Sequence, residues 1–171
     1  MTRRKQIAPR VPDSFPGPGV PSSSAMLRGY TPADFAALYE LDQACFPPGI
    51  AYSKRMLRLF LAQPGAVCVV AESGGAIAGF LLAESEARHG HIVTLDVAAG
   101  HRRRGIGSAL LEEAERRLAA RGVREVEIET GTENDAGVAF WRGHGYGTLG
   151  VLSGYYLGRH DAFAMRKRLT P

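Results

Sequence analysis

The sequence has no long hydrophobic run, few thiols and neither of the familiar nucleotide-loop signatures. No stretch of its 171 residues approaches the ~20 apolar residues that a membrane-spanning helix needs, so no membrane partner is expected. Only two cysteines occur, Cys45 and Cys68, and both lie in apolar surroundings. Two buried thiols suit that setting better than a bridge, which implies a reducing, cytoplasmic location. The five histidines and two cysteines show no ligand spacing, so no metal site is expected. No internal repeat is visible. The pattern GxxxxGK[ST] is absent, and so is GxGxxG. The formal charge of +4 permits an anionic ligand but is too mild to demand nucleic acid.

What is present suffices for one domain with a real core, since 45% of the residues are apolar. Residues 1–24 read as a flexible tail: Pro9, Pro12, Pro16, Pro18 and Pro21 punctuate a stretch with few apolar residues. Its basic start, Thr2-Arg3-Arg4-Lys5, is followed by no apolar core segment, which argues against a secretory signal. The domain is expected over 25–171, as a monomer or weak dimer.

Within it, Ala25–Gly29 suggests a short strand. Thr31-Pro32-Ala33-Asp34 is a helix start, with Thr as N-cap, Pro at the first helical position and an acid in the first turn. Phe35, Leu38, Leu41 and Cys45 recur at helical spacing, and Pro47-Pro48-Gly49 ends that run. A second helix is expected over Ser53–Gln63. Ala66–Ala71 and Ala76–Ala83 form a hairpin about Ser73-Gly74-Gly75, and His91–Val97 follows after a polar turn at Arg88–Gly90. Ile106, Leu110, Leu111, Ala114 and Leu118 stripe a long helix, with Glu112–Arg116 and Glu113–Arg117 as favourable i,i+4 pairs. Arg124–Thr130 alternates like a strand. Asn134 opens a short helix, and strands over Tyr146–Ser153 and Ala162–Leu169 flank Tyr155-Tyr156.

The chain is organised around His91–Ser108. A strand runs into Arg102-Arg103-Arg104-Gly105-Ile106-Gly107-Ser108 and then directly into a helix. That arrangement offers free backbone N–H groups to an anion. Glycine lets the backbone approach a phosphate, and arginine grips its oxygens. Glycines or arginines alone are more often a tight turn or a solvated patch; their conjunction after an apolar strand points to an anion loop.

The run Arg102–Gly107 resembles the [RQ]xxGx[GA] acyl-CoA loop of the GNAT N-acetyltransferases, without a mismatch. Asn134, Ala139-Phe140-Trp141 and Gly145-Tyr146 resemble that family's next segment. The resemblance covers about Met26 to Leu169. It implies an α/β fold: a mixed, mostly antiparallel sheet flanked by helices in the order β-α-α-β-β-β-α-β-α-β-β. It implies acetyl-CoA as cofactor, held at Leu95, Asp96 and Val97 of the strand end, at Arg102 through Ser108, and at Asn134, Phe140 and Trp141. Asn134 also has a plain reading as helix N-cap.

Two further stretches resemble the protein N-terminal acetyltransferase branch: Phe46 to Tyr52, and Tyr155-Tyr156 with His160-Asp161. The resemblance implies that Phe46, Pro47, Tyr52, Tyr155 and Tyr156 close over the acceptor's first residues. Taken singly, these aromatics are ordinary packing. By the same resemblance Glu129 matches the general base, with His91 a helper on the neighbouring strand. On residues alone, Glu125, Glu127 and Glu129 mark a solvated strand side. The sequence departs from the family at Trp141, where many members carry a tyrosine that protonates the leaving thiolate. An indole donates a hydrogen bond but no proton, leaving water, Tyr146, Tyr155 or Tyr156 for that task. The expected activity is acetyl transfer to a protein N-terminus. The alternatives are a lysine or small-molecule amine as acceptor, a non-catalytic acyl-CoA sensor, and, less in keeping with the residues, a nucleic-acid-binding module.

Overall fold

Alternating apolar strands and striped helices assemble as one layered α/β unit in the computed structural model, which describes residues 25–170. The tail expected over residues 1–24 lies outside the described residues. The elements are β1 (Met26–Gly29), α1 (Phe35–Cys45), α2 (Lys54–Leu61), β2 (Val67–Ser73), β3 (Ala76–Glu86), β4 (His89–Val97), α3 (Ile106–Ala120), β5 (Glu125–Gly131), α4 (Asp135–Gly143), β6 (Gly147–Tyr156) and β7 (His160–Arg168). The seven strands form one sheet in the order β1-β2-β3-β4-β5-β7-β6. Only β4 and β5 run parallel; the other neighbours are antiparallel.

Each face of the sheet has its own core. On one side Leu110, Leu111, Ala114 and Leu118 of α3 pack on Val69, Leu81, Leu95 and Ile128. On the other, Leu38 and Leu57 of α1 and α2 pack with Tyr52 on Val70, Phe80, Leu82 and Val93. Each fully buried leucine contributes about 1.5–3 kcal/mol. Ser53 starts α2 as an N-cap, accepting from the Met56 N–H at 3.2 Å.

Several boundaries differ from expectation. β3 continues through the polar Glu84-Ser85-Glu86, and β4 begins at His89, because antiparallel backbone pairing does not require apolar side chains. The turn is therefore Ala87-Arg88, and His91 is the third residue of β4 rather than its first. Likewise β6 runs on to Tyr156 and β7 starts at His160, so Tyr155, Tyr156, His160 and Asp161 lie in strands rather than a loop. A register shift between Leu152 and Tyr156, with Gly154 at φ 63°, absorbs the irregularity that hid this continuation. On α3, Arg116 and Arg117 both bind Glu113, at 2.8 and 2.7 Å. The expected Glu112–Arg116 pair gives way to this i,i+3 contact, in which the guanidinium grips both oxygens of Glu113.

One irregularity shapes the site. Leu82 faces Thr94, but Ala83 faces Ile92, so Val93 is an extra residue in β4. Such a bulge bends its strand and adds twist. Paired register between β4 and β5 spans only His89–His91 against Glu125–Glu127. Beyond it the two parallel strands part, and a cleft opens between Val97 and the end of β5.

Candidate active site

The cleft is bounded on one side by the loop that the sequence singled out. α3 begins at Ile106 with Gly105 as N-cap, and no side chain caps its first turn. Its first backbone N–H groups have no intrahelical acceptor. Gly105 has φ 79° and Arg103 φ 63°, left-handed conformations that curl the loop into the kind of concave backbone that binds anions. Nothing lies within 4 Å of where a Cβ on Gly105 would stand, so its φ, not crowding by the protein, calls for glycine. The corresponding position on Gly107 lies 3.9 Å from Val97 Cγ2, which sets the loop against the end of β4. An uncapped helix start, a left-handed glycine and neighbouring cations fit a pyrophosphate.

The three arginines are not equivalent. Arg103 and Arg104 are exposed. Arg102 folds back: its Nε donates to the Val97 carbonyl at 2.9 Å, and its Nη2 lies 3.6 Å from Cys45 Sγ. Cys45 itself reaches the same carbonyl at 3.6 Å. Arg102 thus ties the loop to the end of α1 and to the strand end. Cys45 and Cys68 are free thiols; burial pushes them up to about 11 and about 12, so neither is a ready nucleophile.

Other residues expected at the cofactor are core residues. Leu95, Ile106 and Phe140 are at most 5% exposed and Trp141 is 0% exposed. Asp96 is also fully buried, its Oδ1 accepting from Thr94 Oγ1 at 2.5 Å. What Leu95 and Asp96 offer a ligand is backbone. Trp141 packs edge-on against Phe140 and Tyr146, with centroids 5.0 and 5.2 Å apart, and its Nε1 has no partner among the described residues. Asn134 caps α4, accepting from the Gly137 N–H at 3.1 Å. That is its plain role, and Phe140 of the helix it caps packs 3.6 Å from a Cβ position on Gly107 in the loop.

On the other side of the cleft, Glu129 meets His91. His91 Nε2 and Glu129 Oε2 are 2.6 Å apart, and the carboxylate makes Nε2 the donor. His91 Nδ1 is buried without a hydrogen-bond partner among the described residues and stands 3.9 Å from Glu84 Oε1. Tyr155 also hydrogen-bonds to Glu129, and burial, then the Glu129 charge, push its phenol far up. The same two causes raise Tyr156, whose hydroxyl is buried and has no hydrogen-bond partner among the described residues. The glutamates of β5 are not a solvated row. Glu127 pairs with Arg166 at 2.5 Å, and Glu125 lies near Arg166 and Arg168, at 3.5 and 3.4 Å. Beside His91 a cavity of about 670 Å³ opens, lined by Glu84, His89 and Glu127 among others.

The two stretches expected at the acceptor meet. A Cβ on Gly49, in the α1–α2 loop, would lie 3.4 Å from Leu157 Cδ2 at the β6–β7 turn. Pro47 is exposed, whereas Phe46 and Tyr52 are 5% and 3% exposed. Tyr52 is a floor residue, its hydroxyl donating to the Val93 carbonyl at 3.2 Å. Of the tyrosines considered as acids, Tyr146 is removed: it is buried on the α3 side, donating to Glu115 at 2.9 Å.

Sequence reasoning missed Glu84, His144 and Asp42. Glu84 stands opposite His91 in the β3–β4 register, a pairing invisible until the hairpin turn is placed. His144 bonds Ser108 in the loop at 3.0 Å. Asp42 is fully buried; its signal was a charge at i+4 from Leu38, on the inner stripe of α1.

Comparison with known proteins gives three kinds of match. The acetyltransferase (GNAT) family model matches residues 35–146. The catalytic subunit of the N-terminal acetyltransferase A complex of Arabidopsis thaliana is 30% identical over 151 residues, covering 84% of this chain and 77% of that protein. The N-alpha-acetyltransferase RimI of Mycobacterium tuberculosis is 31% identical over 142 residues, covering 80% and 88%. Among solved structures, the ribosomal-protein-S18-alanine N-acetyltransferase of Escherichia coli superposes with a TM-score of 0.77 at 22% identity, covering 86% of this chain and 95% of that one.

Proposed function

Since the chain belongs to the GNAT family of acetyltransferases and uses acetyl-CoA, we propose that it acetylates the α-amine at a protein N-terminus, with Glu129 as general base. When bound, the cofactor supplies an activated acetyl thioester. The first turn of α3, with Arg103 and Arg104, would hold its phosphates, Arg102 bracing the loop from behind through Val97 and Cys45; α4 from Asn134 would line its arm, and backbone N–H near the Val97 end of β4 would supply stabilisation to the oxyanion.

The observation that carries this reading is the Glu129–His91 pair, 2.6 Å apart, at the point where β4 and β5 part. Glu129 takes a proton from the acceptor amine, directly or through one water. His91 Nε2–H orients the carboxylate, and Tyr155 holds it from the other side. An α-amine titrates near ~7.7–8.0 and a lysine near ~10.4, so an N-terminal acceptor needs only a modest base. Tyr155 and Tyr156 are held as phenols. Tyr155 gives its one hydroxyl hydrogen to Glu129, which leaves Tyr156 as the hydrogen-bond donor to the acceptor backbone or to the departing sulfur, and the thiolate takes its proton from water.

Two relatives, 30% and 31% identical, whose names describe N-terminal and N-alpha acetylation support the acceptor class. So does the contact between the α1–α2 loop and the β6–β7 turn, which makes an apolar slot suited to an extended peptide start.

The test is mass spectrometry of short peptides incubated with acetyl-CoA, some free at the N-terminus and some blocked but bearing lysine. Acetylation of the free set alone is expected; equal acetylation of both sets refutes the N-terminal slot. Glu129→Gln is expected to retain acetyl-CoA binding while kcat falls by about 10²–10⁴, and near-normal turnover at pH 7 would remove Glu129 as base.

A further inference from the structure

His144 makes two hydrogen bonds that acetyl transfer, as derived above, does not use. It is the C-cap of α4, half-buried, its ring 4.3 Å from that of Phe140. Its Nδ1 is 2.8 Å from the Phe140 carbonyl, and its Nε2 is 3.0 Å from Ser108 Oγ in the first turn of α3. A carbonyl only accepts, so Nδ1 carries a hydrogen. Nε2 is then the site that gains or loses a proton, and Ser108 must answer each change. Against neutral imidazole, the Ser108 hydroxyl donates its hydrogen to Nε2. Against imidazolium, Nε2–H donates to Ser108 Oγ, and the hydroxyl hydrogen is released to another acceptor.

The start of α3 is where such an acceptor would sit. Ser108 is the third residue of α3, whose start has no side-chain cap. The Phe140 ring on which His144 rests is also the wall of the loop, 3.6 Å from a Cβ position on Gly107. We infer that binding of the cofactor's phosphates is coupled to protonation of His144 through Ser108. An anion at the start of α3 accepts the hydroxyl hydrogen that Ser108 no longer gives to Nε2, and it is attracted by the added charge. By reciprocity, whatever protonation adds to cofactor affinity, the bound cofactor adds to proton affinity. His144 is thus a positioning residue: it acts on the ligand through the Ser108 hydroxyl.

The charged groups around it leave the imidazole as the element that switches. On α3, Glu112 is exposed one turn beyond Ser108. Glu115 is taken by Lys167 Nζ at 2.6 Å and by Tyr146 Oη at 2.9 Å. Lys167, from β7, runs 3.6 Å from a Cβ position on Gly145. Arg142 is the cation on α4 itself, and Arg104 stands in the loop. Among side-chain types, imidazole is the one whose unperturbed charge changes between pH 5 and 8.

The test is calorimetric titration of the whole protein with CoA, in buffers of different ionisation enthalpy, which counts protons taken up without any turnover. The phosphomonoester of CoA itself titrates, so the reading is the difference between wild type and His144→Phe, which keeps the stack on Phe140. Wild type is expected to take up a larger fraction of a proton at pH 7.5, and its Kd for CoA to climb by up to about tenfold per pH unit while the variant's stays flatter. Equal proton counts and parallel Kd curves overturn the inference. Should His144→Phe not fold, Ser108→Ala keeps the imidazole and removes the hydroxyl. Loss of most of the coupling is then expected, and full retention shows that the hydroxyl link is wrong. Because only cofactor binding is read, this result is independent of the acceptor's identity.

Discussion

Replacing Asp96 with asparagine should stabilise this protein, and should do so only where carboxyls ionise. Asp96 on β4 and Asp42 on α1 are both 0% exposed. Each has one oxygen bonded and one without a partner. Asp42 Oδ2 accepts from the Tyr52 N–H at 2.7 Å and Asp96 Oδ1 from Thr94, while Asp42 Oδ1 and Asp96 Oδ2 are unpartnered among the described residues. Burial pushes Asp42 up to about 6. Burial first, then the Asp42 charge, raises Asp96 well above the carboxylate range. A carboxyl titrating near 6 instead of near ~3.9 costs about 3 kcal/mol of stability once ionised. The folded pair holds protons that the unfolded chain has released above pH ~4, so this pair's contribution to stability falls as pH rises from there through 6 and beyond. Asp96→Asn keeps an acceptor for Thr94 and removes the repulsion. The expected gain is ~1–3 kcal/mol at pH 7.5, or about 3–10 °C in Tm for a domain of this size, shrinking to little at pH 4.5. Asp34, held below the usual range by Arg28, and Glu113, held at about 2 by Arg116 and Arg117, act in the opposite sense. Both lose stabilisation as pH falls, so the measured quantity is the Tm difference between variant and wild type from pH 4.5 to 8. A difference that does not change with pH, or a variant less stable at pH 7.5, would refute the shared-charge account.

Gly105→Glu should leave the Tm close to that of wild type apart from the strain of a positive φ, yet abolish the Tm shift that acetyl-CoA produces by mass action; a preserved shift would move the phosphate site elsewhere. Gly137→Ala places a Cβ 2.4 Å from Asn134 Nδ2, so the Asn134 cap, worth ~1 kcal/mol, is displaced while Ala for Gly in the helix returns about the same. Stability should stay within ~0.5 kcal/mol of wild type and KM for acetyl-CoA should rise; an unchanged KM would show that Asn134 is a cap and nothing more. Tyr156→Phe removes a buried hydroxyl that has no partner among the described residues, so thermal stability should hold or rise by about 1 kcal/mol while KM for the acceptor peptide climbs and kcat changes little. Unaltered KM would return Tyr156 to the core.

The sequence by itself determined the element order, because the helices carry 3.6-residue stripes and the strands carry apolar runs or, as in β5, an alternating pattern, with turn residues between them. It also determined the anion loop, since Arg102–Gly107 leads from strand directly to helix and backbone donors there follow from local geometry alone. Glu129 was legible as a position but not as a chemical group: on its own strand it reads as one of three equivalent glutamates. Only the tertiary structure separates them, giving arginines to Glu125 and Glu127, and to Glu129 a 2.6 Å contact with His91 and a hydrogen bond from Tyr155. Tertiary structure alone also decided that Arg102 ties back to Cys45, that Asp42 and Asp96 share a buried site, and that His144 reaches Ser108. Those contacts join residues 36 to 57 positions apart, or strands and helices distant in sequence. Local propensity carries no information about them. They arise from the extra residue Val93, which parts β4 from β5, and from packing that turns particular side chains toward one another.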